Sequence, residues 1–388
     1  MRLFVPRENR PGEQRVACLP EVAAKISQLG YEVAVESGAG QAAFADDAAY
    51  VDAGATIVAA DDVAAAVAEA AVVASVRPLD PAVAAHLREG AITISFLSPG
   101  TDTGTIGAVA DRGGTALSFD LLPRISRAQS MDALTSQALV AGYRATEVAA
   151  ARLPRFFPLF MTAAGTIPPA KVLVLGAGVA GLQAIATAKR LGAVVSAYDV
   201  RPASADEVKS MGGKFINLDL ESVAGSGGYA REMTEDRAKR QQELLTPYIA
   251  ESDVVITTAA IPGRRAPLLV TEEMVHTMRP GSVVVDLAAE TGGNVAGSQP
   301  GEAIVTEGLV TIWGARDVPS SMPVHASQLY SMNVLAVLGL ITADGAVALD
   351  PTDEIIEGCA VVLEGAVRHP AAVEALGLSP EQPAEEGN

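Results

Sequence analysis

The chain has 388 residues, 49% of them hydrophobic and 19% charged, which suits two domains with sizeable cores and excludes a disordered chain. Its 46 acidic against 28 basic residues leave a formal charge of −18, which repels phosphate backbones and anionic lipid, so nucleic acid is not an expected partner. The longest apolar stretch, Met332 to Ala343, falls short of the roughly 20 residues a membrane helix needs, and no signal peptide opens the sequence; a cytoplasmic chain is expected.

Short apolar strands alternate with Ala-rich segments from the start: Leu3 to Val5, Glu32 to Val35, Thr56 to Val58, Val72 to Val76, Ile92 to Phe96 and Thr115 to Phe119. That rhythm predicts βαβ units and a parallel sheet. Ser130 to Leu153 reads as a long helix. Leu153 to Pro169 carries Pro154, Pro158, Pro168 and Pro169 around Phe156, Phe157 and Phe160, which rules against a continuous helix. This aromatic stretch reads either as an exposed hairpin, and so a dimer contact, or as a covered core loop. A second strand series follows at Lys171 to Leu175, Val194 to Tyr198, Val254 to Thr258, Val283 to Leu287 and Val310 to Trp313, and a second long helix at Val324 to Leu340. The fold class is therefore α/β: two Rossmann-like domains with parallel sheets, joined by two long helices. The first domain takes residues 1–130 and 341–388, and the second, with the linking helices at its ends, residues 131–340.

The strongest motif is Gly176-Ala-Gly178-Val179-Ala-Gly181, which follows a strand, opens a helix and precedes an acidic strand end, Asp199, about 20 residues on, as a dinucleotide fingerprint requires. Gly176 permits the tight turn, Gly178 lets backbone approach a pyrophosphate, and Gly181 lets helix lie close to strand. The helix N-terminus then offers amides and a positive dipole end to phosphate. Asp199, followed by Val200, is expected to accept ribose hydroxyls and repel a 2′-phosphate, favouring NAD(H). Arg201 opposes this, since an Arg there can accommodate that phosphate. Thr258, Ala259 and Ala260 end a later strand of the same sheet and are expected to line the adenine side.

The sequence resembles the NAD(H)-binding domain I, the soluble part of the alpha subunit, of proton-translocating NAD(P) transhydrogenase, in the alanine dehydrogenase/transhydrogenase family. The stretches that carry the resemblance are Arg7-Glu-Asn-Arg10 with Glu13-Gln-Arg15-Val, Pro123-Arg124-Ile-Ser-Arg-Ala-Gln129-Ser-Met-Asp132, the glycine motif with Tyr198-Asp-Val-Arg201, and Gly227-Gly-Tyr229-Ala. It implies that NAD(H) binds here and NADP(H) on a partner domain. It also implies a homodimer at the cytoplasmic face of the inner membrane, working with a membrane-embedded proton-translocating subunit and active only with these partners. Arg124, Gln129 and Asp132 resemble the family's polar loop at the nicotinamide end and are the implied catalytic and cofactor-binding set, with Thr135 implied as cofactor-binding. Tyr229 resembles part of a loop that closes over nucleotide. Read without the resemblance, residues 124–135 are helix capping beside a domain junction.

Hydride transfer between two nicotinamides needs the rings at near-attack distance, roughly 3 to 3.5 Å, and no proton transfer on this chain. That agrees with a sequence whose four histidines, His86, His276, His325 and His369, sit in no base-like motif. Cys18 and Cys359 lie far apart and without ligand-spaced neighbours, so neither zinc nor a disulfide is expected. The alternative is an alanine dehydrogenase-like oxidoreductase, whose carboxylate-binding Arg resembles Arg15. That family's Lys and His positions read Val76-Arg77-Pro78 and Leu97-Ser98-Pro99 here, which removes both groups.

Overall fold

The computed structural model describes residues 1–218, 235–260 and 264–378. The chain divides into two units, Met1–Gln137 with Ser320–Asn388, and Ala138–Pro319.

In the first unit a sheet runs in the order Ala366–Val367, Ala360–Leu363, Thr115–Ser118, Ile92–Ser95, Val72–Ala74, Arg2–Val5, Glu32–Glu36, Thr56–Val58. The six strands from Arg2–Val5 to Thr115–Ser118 pair in parallel, and the two C-terminal strands add antiparallel at one edge. Both faces are covered. Leu3 and Val5 enter one apolar cluster while Phe4 between them enters the other, which is why such strands read as unbroken apolar runs.

The second unit repeats the plan. Its sheet runs Lys214–Phe215, Val194–Tyr198, Lys171–Leu175, Val254–Thr257, Val283–Asp286, Thr311–Gly314, Ala303–Val305, with only the last strand antiparallel. Val172 and Val174 pack on one face, Leu173 and Leu175 on the other. Counted in chain order, both units wind their parallel strands 3-2-1-4-5-6, which places a topological switch point between the first strand and the fourth.

The two long helices run Ala133–Arg152 and Pro323–Leu340. Asp132 starts the first by accepting the Thr135 amide (2.8 Å). The second, placed by sequence reasoning in the nucleotide domain, lies in the first unit. The reason is its serines and tyrosine: Ser327 accepts the Val16 amide (3.0 Å), Ser331 the Leu19 amide (3.0 Å), and buried Tyr330 donates to the Ser75 carbonyl (2.7 Å). The proline-rich aromatic stretch forms a hairpin, Phe160–Thr162 with Gly165–Ile167, whose six residues are all exposed. Among the described residues no helix is long and apolar enough to cross a membrane.

Candidate functional site

In the second unit the strand Lys171–Leu175 ends in a turn that only glycine can take. Gly176 has φ +101°, and a Cβ there would sit 2.6 Å from the Thr258 hydroxyl. Gly181 is required by packing, because a side chain on it would overlap the Gly176 carbonyl. Gly178 is different: its backbone is extended (φ −75°), and among the described residues a Cβ would meet nothing within 4 Å. None of the described residues demands glycine at that position or occupies the space beside it. Gly178 is also the N-cap of helix Val179–Arg190, and no described side chain caps that end. The helix ends in a Schellman turn, with Ala193 N–H on Ala188 O (3.1 Å) and Gly192 N–H on Lys189 O (3.0 Å). Both ends are therefore fixed by local sequence.

Asp199 and the glycine turn are one hydrogen-bonded unit. Its carboxylate accepts the Ala177 amide (2.7 Å), the Arg201 amide (2.8 Å) and the Arg201 guanidinium (2.9 and 3.1 Å). The guanidinium also reaches the Ala177 carbonyl (3.3 Å). Its hydrogen bond to the Asp199 carboxylate holds Arg201 above the ordinary arginine range, outweighing the desolvation that pulls the other way. Val200 is half-buried against the neighbouring apolar cluster. Tyr198 donates to Gln241 (3.0 Å), and burial pushes its phenol up to about 12.

Across the switch point, Thr258 donates to the Gly176 carbonyl (3.1 Å), tying the fourth strand's end to the first's. The Ala259 amide is held by the side chain of Asn294 (3.1 Å), and Ala260 is exposed. Thus Gly176, Gly178, Gly181, Asp199, Arg201, Thr258 and Ala259 converge on the carboxyl edge of one sheet. Tyr229 lies outside the described residues.

The polar loop belongs to the first unit. Arg124 and Gln129 are exposed, Gln129 on a 3-10 turn, Ser126–Met131. The Asp132 carboxylate accepts the Thr135 hydroxyl (2.6 Å) besides its amide, so the helix-capping reading of this pair holds. Sequence reasoning missed what pins the turn. Arg127 makes a two-pronged ion pair with Asp353 (2.6 and 2.8 Å), and Asn333 donates to the Ser130 carbonyl (2.9 Å). Neither partner is within two hundred residues of the loop in sequence, so no local signal could reveal them.

The first unit's own switch point is filled by the chain. Glu8 accepts the Val76 and Arg77 amides (2.6 and 3.2 Å) at the end of the fourth strand, and burial raises its carboxyl to about 7 against those amides. Glu13 grips Arg15 with both oxygens (2.7 and 2.6 Å) and receives Arg77 Nε (2.9 Å). Burial pushes the Glu13 carboxyl up, but the hydrogen bonds and charge of Arg15, with Arg77, outweigh it and bring it to about 2. The remaining Arg15 nitrogen donates to Gln137 (2.9 Å), and the side chain is 3% exposed. Beside this plug lies a cavity of about 260 Å³ whose arginine, Arg10, already pairs with Asp102 (2.5 Å).

Among the described residues no group of three or more His, Cys, Asp or Glu could hold a metal. Cys18 and Cys359 are free and buried, and burial pushes both thiols up to about 12. His86, His276 and His325 are exposed, and His369 opens the last helix, where burial lowers its pKa.

Two family models cover the chain: "Alanine dehydrogenase/PNT, N-terminal domain" over residues 4–141 and "Alanine dehydrogenase/PNT, C-terminal domain" over residues 145–370. The chain is 48% identical over 380 residues to the Rhodospirillum rubrum polypeptide that forms the first portion of NAD(P) transhydrogenase subunit alpha, covering 96% of this chain and 98% of that one. A solved transhydrogenase from Sinorhizobium meliloti superposes with a TM-score of 0.82 at 42% identity, over 96% of this chain and 100% of the other. A solved L-alanine dehydrogenase gives 0.80 at 25% identity, over 97% and 99%. On the two domain models and on these relatives, the chain belongs to the alanine dehydrogenase/PNT family.

Proposed function

We propose that this chain is the NAD(H)-binding subunit of a proton-translocating transhydrogenase. Hydride passes directly between NAD(H) held here and NADP(H) on a partner domain, and a membrane subunit couples the transfer to proton movement. The observation that carries the reading is Gly178: among the described residues neither backbone angle nor packing calls for glycine there, and none fills the space beside it or caps the helix end. A pyrophosphate explains both. The residues present therefore fit a dinucleotide, which supplies the hydride when bound.

In this reading the amides of the first helical turn bind phosphate, Asp199 with Val200 and Arg201 receives the ribose, and Thr258, Ala259 and Ala260 line the adenine side. Arg124, Gln129, Asp132 and Thr135 serve the nicotinamide end, on the strength of the family resemblance. The exposed hairpin, with Phe156 against Phe160 (ring centroids 4.7 Å) and Met161 76% exposed, supports a homodimer. NAD(H) rather than NADP(H) rests on the Asp199 carboxylate at the strand end. Attachment to the cytoplasmic face of the inner membrane through partner subunits rests on the family resemblance.

Amino-acid oxidation is disfavoured by Arg15. A guanidinium whose Nε and both Nη atoms are engaged by Glu13 and Gln137 has little left to offer a substrate carboxylate. The deciding assay mixes the purified chain with an NADP-binding partner and follows reduction of an NAD analogue by NADPH, with alanine, NAD and no partner as control. Turnover is expected only in the first mixture. Alanine-dependent NADH formation would reverse the assignment.

A further inference from the structure

The end of the fourth strand in the nucleotide unit is held by a side chain from outside the sheet ladder. Asn294 is fully buried, and among the described residues its amide makes three bonds, all to backbone. Its oxygen accepts the Ala259 amide (3.1 Å), and its nitrogen donates to the carbonyls of Ala259 and Pro267 (both 2.8 Å). The Ala259 peptide is thereby paired on both its polar groups, as a neighbouring strand would pair it, where the ladder has already stopped at Thr257.

Asn294 is itself fixed. Its main-chain N–H lies on the carboxylate of Asp286 (3.0 and 3.2 Å), and its carbonyl accepts the amides of Leu269 and Val270 (2.8 and 2.9 Å). Asp286 is also fully buried, and further accepts the Thr257 hydroxyl (3.1 Å) and the amides of Ala288 (3.0 Å) and Val295 (3.2 Å). The turn that delivers these amides needs Gly293 (φ +76°), where a Cβ would sit 2.9 Å from the carboxylate. Every polar atom of Asn294 is hydrogen-bonded, and both N–H groups of its amide are spent, so the side chain cannot turn without losing bonds.

We infer that Asn294 is a positioning residue for the dinucleotide site. Anchored on Asp286, it presets the path of Thr258 to Ala260 so that this edge is shaped before nucleotide arrives. The inference rests on the functional reading above and concerns NAD(H) at that same site. Pre-shaping matters because a loop ordered only on binding would subtract its ordering cost from affinity.

The test uses the full chain with Asn294→Ala, the milder Asn294→Ser, and a core control, Met278→Ala, at a temperature where circular dichroism shows all three folded. Two quantities are read: amide hydrogen exchange over 258–260 and the Kd for NADH by fluorescence titration. Asn294→Ala should speed exchange there and weaken NADH binding on the order of tenfold, with Asn294→Ser between it and wild type. Met278→Ala should lower the melting temperature and leave both readouts alone. Unchanged exchange or unchanged Kd in Asn294→Ala, or an equal loss in Met278→Ala, would reduce Asn294 to a structural residue. Failure of the wild-type chain to bind NADH would be a separate result, removing the functional reading and this inference with it.

Discussion

The carboxylate of Asp199 already receives four N–H groups, one from Ala177 and three from Arg201, close to the acceptor capacity of the group. In the proposed site ribose hydroxyls compete with the Arg201 guanidinium for it, so the arginine both screens the charge and contends for its lone pairs. Asp199→Ala removes the proposed ribose acceptor and the negative charge that opposes a 2′-phosphate. Hydrogen bonds to a charged group contribute about 1.5–3 kcal/mol, so NADH affinity should fall by roughly ten- to a hundredfold while NADPH binding falls less. Paired equilibrium titrations with NADH and NADPH check this, and an unaltered ratio of the two affinities would remove Asp199 from the specificity argument.

At the level of elements, the close approach of two helices depends on a single missing methyl group. Gly142 lies in the long helix Ala133–Arg152, and a side chain there would overlap the Ala180 carbonyl at the start of helix Val179–Arg190. The obstacle is backbone, which cannot rotate aside. Gly142→Ala should therefore cost at least about 1–3 kcal/mol despite its better helix propensity, read as a lower urea midpoint. An unchanged midpoint would mean the helices part freely. Most elements were legible because fully buried parallel strands show as unbroken Val, Ile and Leu runs, and the glycine motif is a local pattern with a local cause. Lys214–Phe215 and Ala303–Val305 were not legible, being two and three residues long and sitting at the sheet's edges, where burial leaves little pattern. The helix Pro323–Leu340 is legible as a helix but not by the unit it belongs to, since its buried serines look like any polar interruption in sequence and only the fold shows Val16 and Leu19 using them. Within the candidate site the glycines, Asp199 and Thr258 could be read from spacing. Asn294 and the Arg127–Asp353 pair could not, because their meaning lies in partners distant along the chain.

For the whole molecule, the identical winding of the two sheets means that each unit brings its first and fourth strands side by side. In the second unit the mouth between them is bordered by the bare backbone of Gly178; in the first, Glu8 and Glu13 reach into it and take the amides and guanidinium groups that a bound anion would seek. A chain whose repeated architecture offers two berths has moored its own carboxylates in one of them. Its stoichiometry should accordingly be one dinucleotide per polypeptide, and a calorimetric titration that saturated at two would mean that the glutamates can be displaced.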